Sequence, residues 1–132
     1  MSNIELLEKT LPVAPLKIVA MESCRGLGQK VNDYIVSFRE NTINEVSESS
    51  LYVNYKSNNY LVDCCCPRFG TGEAKGILRE TIRGTDLFIM TDVCNYSLTY
   101  TVSGHLNHMS PDDHYQDLKR IISAATGKAK RI

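Results

Sequence analysis

Residues Cys64–Met90 decide the fold, and they read CCCPRFGTGEAKGILRETIRGTDLFIM. The pattern predicts a strand, a glycine-containing turn, a second strand, a tight turn and a third strand. The third strand contains the unbroken apolar run Leu87–Met90, which is typical of a strand covered on both faces of a parallel sheet. The stretch therefore predicts a sheet whose buried strand follows two turns.

Both turns carry side chains suited to a ligand. In the first, three residues separate Phe69 from Glu73, and two of them are glycines. Glycine lets a backbone approach a ligand closely, while an aromatic face and a carboxylate acceptor suit a flat, hydrogen-bonding ring such as a purine. In the second turn, Arg83 directly precedes a glycine at the start of the buried strand. The alternatives are a core position for the Phe69 ring, a solvated strand end at Glu73 and an exposed arginine without a ligand.

Strand and helix alternate along the chain. Leu16–Met21 predicts the first strand, and Ser23 is placed to cap the helix that follows it. This helix repeats apolar side chains at helical spacing, at Leu27, Val31, Tyr34, Ile35 and Phe38. The succession favours an α/β layered domain with a largely parallel sheet.

Two further segments flank this pattern within a single domain of residues 1–132. A capping box at Ser2–Glu5 predicts a short helix over residues 2–10, expected to cover a sheet edge or to contact another subunit. Two tyrosine-rich stretches predict an added β-hairpin over about residues 51–65.

The last predicted element is an amphipathic helix. Asp112 or Asp113 is expected to cap it, and it should end near Gly127. Its apolar face comprises Leu118, Ile121, Ile122 and Ala125. A further strand is expected after this helix, but the sequence stops at Ile132.

Bulk composition excludes several classes of partner. Fifteen basic residues balance fifteen acidic ones, so neither nucleic acid nor an anionic membrane is indicated. No apolar run approaches the roughly 20 residues that span a bilayer, and we expect no signal peptide. Five cysteines, three of them adjacent, make a poor disulfide framework. We therefore expect a cytoplasmic protein.

Three patterns that suggest metal or dinucleotide binding are weak. Cys64–Cys66 would alternate faces on a strand, so the three thiols cannot converge on zinc and are expected to act as small hydrophobes. His105 and His108 have a spacing that suits a metal on a helix, but the glycine and proline around them predict a loop over residues 96–111. Residues 26–28 lack the third glycine of a dinucleotide fingerprint. We expect no metal site.

Taken together, the two turns resemble a known family. The sequence RFGTGE (Arg68–Glu73), followed by TIRGTDLFI (Thr81–Ile89), is similar to ribose-phosphate pyrophosphokinase, or PRPP synthetase. That family pairs an aromatic-x-Asp/Asn-x-Glu turn with a Ser-Val-Arg-Gly-x-Asp-Val turn and strand. Lys17–Phe38 resembles its first strand and helix, and Asp113–Ile132 its next helix. Extra sequence lies near residues 41–60 and 95–110.

The resemblance implies a phosphoribosyltransferase-like fold, here an incomplete N-terminal domain, and an activity. The family transfers the β,γ-diphosphoryl group of ATP to the 1-hydroxyl of ribose 5-phosphate with Mg²⁺. By resemblance, Phe69 stacks on adenine while Thr71 and Glu73 fix its amino edge, at an interface that a neighbouring subunit of a homo-oligomer completes. Thr71 stands where the family more often has Asp or Asn. Thr81 and Arg83 fall near a regulatory phosphate or ADP site.

The catalytic segments of that family follow the point at which this sequence stops. We therefore expect the chain to be the N-terminal part of a longer enzyme, without catalytic residues or metal ligands of its own and inactive alone. One alternative is a non-catalytic domain that assembles with or regulates an active subunit. Another is a small nucleotide-binding module.

Overall fold

The computed structural model of the protein describes residues 14–43 and 57–132. In chain order its elements are β1 (Leu16–Ala20), a 3-10 turn (Glu22–Cys24), α1 (Arg25–Ile43), β2 (Cys64–Cys65), β3 (Ile77–Leu78), β4 (Asp86–Met90), β5 (Thr99–Val102), β6 (His105–His108) and α2 (Pro111–Ala125). The helix predicted over residues 2–10 and the first strand of the hairpin predicted over residues 51–65 lie outside the described residues. Neither α1 nor α2 is long and apolar enough to cross a membrane.

The centre of the fold is a parallel pair of strands, β1 and β4. Leu16 lies opposite Asp86 and Ala20 lies opposite Met90, so the strands are in register over their full length. Parallel neighbours cannot be joined by a tight turn and need a long crossover connection, and the one between β1 and β4 contains α1.

Two further segments widen this pair. On the outer side of β1, the Ile18 amide donates to the Tyr60 carbonyl and the Val62 amide donates to the Ile18 carbonyl, both at 2.8 Å. On the outer side of β4, Arg131 forms a parallel bridge to Asp86, so the chain after α2 returns to the sheet. The order 60–62, β1, β4 and 131 confirms the predicted α/β domain with a largely parallel sheet.

Helix α2 covers one face of the sheet and forms the core with it. Its fully buried Ile121 and Ala125 belong to a cluster that also contains Val19, Met21, Val62, Cys64, Ile82 and Leu87. Helix α1 lies on the opposite face, because Ala20 points away from Val19 and meets α1 at Gly28. The helix–sheet–helix layering predicted from the alternation of elements is therefore present.

The face that α1 turns to the sheet differs from the predicted one. Three of its five expected contact positions are exposed, namely Leu27, Tyr34 and Phe38. The buried positions are Gly28 and Asn32. Glycine lets the helix approach β1, and the side-chain oxygen of Asn32 accepts the Tyr60 amide at 2.8 Å. The helical spacing was right, but small and polar side chains form the buried stripe.

Strand β4 is not covered on both faces as predicted. Leu87 is 2 % exposed, whereas the neighbouring Phe88 is 59 % exposed. Phe88 shares the face of Ala20, on which α1 packs over β1 and leaves β4 uncovered by the described residues. An unbroken apolar run therefore predicted the strand but overestimated its burial.

Ser23 does not cap a helix. It lies in the 3-10 turn before α1, and its hydroxyl accepts the Asp92 amide at 2.9 Å. The hydroxyl therefore ties the end of β1 to the loop after β4, a long-range partner that local sequence does not reveal.

The cap of α2 is Ser110 rather than Asp112 or Asp113. The Ser110 hydroxyl accepts the Asp113 amide at 3.2 Å, and the Asp113 carboxylate accepts the Ser110 amide at 2.9 Å. Burial alone would raise the pKa of Asp113, but the hydrogen bonds from Ser110 outweigh it and hold the pKa below its ordinary 3.8. The helix starts earlier than predicted because Pro111 suits the first helical position.

We expect Gly28→Ala to lower the free energy of unfolding by about 1–3 kcal/mol, because the added β-carbon would overlap the Cβ of Ala20. Gly26→Ala is the matched control in the same helix. Its β-carbon meets nothing within 4 Å, so it should raise that free energy by about 0.4–1 kcal/mol. Urea denaturation measures both, and equal stabilities would show that α1 does not rest on β1 at Gly28.

Candidate functional site

The glycine-containing turn is the tip of a two-stranded arm, residues 64–78. Strands β2 and β3 pair antiparallel, and a further antiparallel bridge joins Arg68 to Ala74. Beyond it, the Phe69 amide donates to the Glu73 carbonyl at 2.6 Å and the Gly72 amide donates to the Phe69 carbonyl at 2.9 Å. Gly72 has φ +87°, which a side chain would strain, so the turn depends on this glycine.

The three side chains predicted to bind a purine lie together on the exposed surface of the 69–73 turn. Phe69 is 49 % exposed, and Thr71 and Glu73 are exposed as well. The Phe69 ring is therefore not a core aromatic. The Phe69 and Glu73 backbones are hydrogen-bonded to each other, which places the two residues on opposite sides of one turn. The turn can offer an aromatic face and an acceptor to one side of a flat ligand.

A cavity of about 400 Å³ lies behind this turn, between the arm, α2 and the β5–β6 hairpin. Arg68 and Asp117 line it and form an ion pair at 2.9 Å, with side chains only 10 % and 8 % exposed. His114 is buried beside them, and its Nε2 lies 2.7 Å from the Asn95 carbonyl oxygen. Sequence analysis missed these residues. For two of them the sequence contains a signal, because the polar His114 and Asp117 lie at helical spacing on the same stripe as the apolar Ile121.

Thr81 and Arg83 lie together on the wall of a second cleft, the Arg83 cleft, of about 430 Å³. The Thr81 side-chain oxygen accepts the Arg83 amide at 3.4 Å, so the hydroxyl and the guanidinium belong to one tight turn. Gly84 follows with φ +71°, which explains the glycine at this position.

The Arg83 cleft contains two more cations that sequence analysis did not assign. Lys75 comes from the arm and Lys128 from the segment after α2, and both line the cleft. Glu80 is the acidic residue in the lining, and it forms an ion pair with Lys17 at 3.5 Å. Three cations against one partly neutralised carboxylate make the cleft attractive to an anion.

A third opening, of about 970 Å³, lies at the carboxyl ends of β1 and β4. Open α/β sheets commonly bind ligands at this edge. Here Asn95 donates from its side-chain amide to the Ser23 carbonyl at 2.9 Å, and Ser23 also accepts from the Asp92 amide. These bonds hold the loop after β4 against the 3-10 turn.

Residues 96–111 contain a hairpin rather than the predicted loop. Strands β5 and β6 pair antiparallel, and Ser103 and Gly104, with φ +50° and +81°, form the two-residue turn between them. His108 stacks on Tyr96 with ring centres 4.5 Å apart, while His105 is exposed. Within residues 14–43 and 57–132, no three His, Cys, Asp or Glu side chains are arranged to hold a metal ion.

The three adjacent cysteines differ in burial. Cys64 belongs to the core, and Cys65 and Cys66 are half-buried. Burial raises the pKa of the Cys64 thiol from 9.0 to about 11 and that of the Cys66 thiol to about 12. Such thiols stay protonated at neutral pH, as suits small core side chains, whereas zinc binds thiolates.

The parallel sheet between two helices, the turn on the arm and the turn before β4 define a phosphoribosyltransferase-like α/β domain. Residues 16–132 match the family model of the N-terminal domain of ribose phosphate pyrophosphokinase. The chain therefore belongs to this family, which links it to PRPP synthesis and to a transferase. Comparisons with curated proteins and with solved structures gave no match.

We expect Cys94, which is exposed, to be alkylated by iodoacetamide at pH 8 well before Cys64. A pKa raised from 9.0 to about 11 lowers the thiolate fraction of Cys64 roughly a hundredfold, and burial limits access further. Mass spectrometry of timed digests measures the order of reaction. Alkylation in urea is the control and should equalise the rates, and fast labelling of Cys64 in the folded protein would contradict its burial.

Proposed function

We propose that this chain is the ATP-binding and assembly portion of a ribose-phosphate pyrophosphokinase. In the proposed reaction, the 1-hydroxyl oxygen of ribose 5-phosphate bonds to the β-phosphorus of ATP. The bond from that phosphorus to the oxygen bridging it to the α-phosphorus breaks, and AMP leaves. Family membership supports the reaction class. The observation that carries the ATP role is the half-exposed Phe69 ring on a glycine-containing turn in which the Phe69 backbone is hydrogen-bonded to that of Glu73.

The proposed roles follow from the exposed side chains of the 69–73 turn. The Phe69 ring stacks on one face of adenine, and the Glu73 carboxylate accepts a hydrogen bond from the exocyclic amino group. The Thr71 hydroxyl supplies a second polar contact to the same edge. Phosphoryl transfer depends on positioning and charge stabilisation more than on a protein nucleophile, so binding residues of this kind matter to the rate.

A half-exposed ring leaves most of a bound purine uncovered. Specific small-molecule sites bury the greater part of their ligand, so further protein has to close this one. We assign that part to a neighbouring protomer of a homo-oligomer. The chain alone is then expected to bind ATP weakly and to turn over no substrate.

Mg²⁺ would accompany ATP and supply neutralisation of the phosphate charge. Among the described residues no group of three or more His, Cys, Asp or Glu side chains is arranged to hold a metal ion. We propose that most of the Mg²⁺ ligands lie outside this chain, on the nucleotide and on other parts of the complete protein.

A regulatory role for the Arg83 cleft is a second proposal. The cleft gathers Arg83, Lys75, Lys128 and the Thr81 hydroxyl around a space of about 430 Å³. A guanidinium can hold a phosphate with two parallel hydrogen bonds, and the lysines add point charges. Inorganic phosphate or the diphosphate of ADP fits this chemistry.

We expect Phe69→Leu in the full-length protein to raise the KM for ATP roughly 5- to 150-fold, because loss of base stacking costs about 1–3 kcal/mol. Glu73→Ala should raise it as well, and neither should change the KM for ribose 5-phosphate comparably. Phe88→Leu is the matched control, since Phe88 is another half-exposed phenylalanine, on β4. Steady-state kinetics measures all three, and an unchanged KM for ATP in both Phe69→Leu and Glu73→Ala would remove the turn from the site.

We expect Arg83→Ala to relieve inhibition by phosphate or ADP at least severalfold, because a charge-assisted hydrogen bond is worth about 1.5–3 kcal/mol. Arg79→Ala is the control a few residues earlier in the chain, since Arg79 pairs with Asp63 at 3.0 Å and does not line the cleft. Inhibition curves at fixed ATP give the comparison. Equal inhibition of Arg83→Ala and of the parent would end the regulatory proposal.

A further inference from the structure

The 69–73 turn has few contacts of its own to fix its direction. Two backbone hydrogen bonds close it, and its side chains point to the surface. Gly70 and Gly72 also make this stretch of backbone more flexible than it would be with residues that carry a side chain. The contacts at the base of the turn therefore matter for its orientation.

Arg68 is the residue at that base. Its backbone bridges Ala74, but its side chain runs inward and is only 10 % exposed. The guanidinium donates to Asp117 Oδ2 at 2.9 Å, and its central carbon lies 4.6 Å from the centre of the Tyr100 ring. The guanidinium is thus held by an ion pair with the carboxylate and by a cation–π contact with the aromatic ring.

Asp117 is itself fixed on α2. Its other oxygen, Oδ1, accepts from Arg120 at 2.7 Å, and the carboxylate is 8 % exposed. Breaking a buried ion pair leaves an uncompensated charge, which is costly. This pair, in which both carboxylate oxygens are engaged, therefore resists displacement. Arg68 is therefore anchored to a helix that packs in the core.

Tyr100 brings a second element to the same group. It lies on β5, in the hairpin that the sequence adds near residues 95–110. The hairpin is closed at its base by the Met109 amide, which donates to the Leu98 carbonyl at 2.8 Å. Further along β5, Val102 lies beside the turn, since a β-carbon on Gly72 would be 3.8 Å from its Cγ2. The β5–β6 hairpin therefore flanks both the base and the tip of the turn.

We propose that Tyr100 and Asp117 are positioning residues, which clamp Arg68 and thereby hold the 69–73 turn in the orientation that binds ATP. The ATP role of the turn rests on the proposed function, whereas the clamp rests on the contacts around Arg68. The β5–β6 hairpin, which lies outside the parallel sheet, then has the specific role of restricting the motion of the binding turn.

The test uses the full-length protein with Tyr100→Leu, which removes the ring over Arg68 and leaves the Arg68–Asp117 pair. We expect the KM for ATP to rise about three- to tenfold with a smaller change in kcat, and Tyr100→Phe to restore it. Asp117→Asn should act in the same direction. Tyr115→Leu is the matched control, because it removes an exposed cation–π contact, to Lys119 at 5.4 Å, on the outer side of α2.

Hydrogen exchange gives a second readout that needs no activity. In Tyr100→Leu, amides of the peptide covering residues 69–75 should exchange several-fold faster than in the parent, while the amides of β1 and β4 keep their rates. In Tyr115→Leu, the exchange rates of all these amides should be unchanged. Unchanged exchange in the turn of Tyr100→Leu would overturn the clamp, whether or not the parent makes PRPP. Faster exchange with an unchanged KM for ATP in an active parent would uphold the clamp and overturn its role in binding. An inactive parent would count against the proposed function alone.

Discussion

The register between β1 and β4 is the constraint on which the rest of the structure depends. Because successive residues of a strand point to opposite faces, this register sends Val19 and Leu87 to α2 and Ala20 to α1. A slip of one residue would exchange the two faces and put apolar side chains where Gly28 now fits. The edge segment 60–62 follows from the same pairing, and the arm with its turn extends from that segment.

Local sequence was sufficient for most of the elements and for the first turn. Glycine spacing and apolar periodicity act over a few residues, so β1 to β4, both described helices and the 69–73 turn were predictable. The buried face of α1 was not, because its packing depends on Gly28 and Asn32, which an apolar pattern passes over. The β5–β6 hairpin was missed for a similar reason. Its Ser-Gly turn is a weaker signal than Asn-Gly, and a glycine at position 104 is equally typical of a loop.

The surroundings of the candidate sites could not be predicted, because tertiary packing creates them. Arg68 and Asp117 are 49 residues apart in the sequence, and no spacing rule joins them. Lys75 and Lys128 meet in the Arg83 cleft from the arm and from the chain after α2. A buried stripe that mixes Asp117 with Ile121 is the kind of pattern that indicates a polar partner elsewhere, but it does not identify that partner.

Helix α2 touches both candidate sites. Asp117 holds the base of the 69–73 turn, and Ala124, roughly 10 Å further along the helix axis, lines the Arg83 cleft. A packed helix moves as a rigid body, so an anion that pulled its carboxyl end would also displace the carboxylate gripping Arg68. One helix therefore joins the cleft proposed to bind an anion to the base of the turn proposed to bind a purine, and any shift of this helix would alter both.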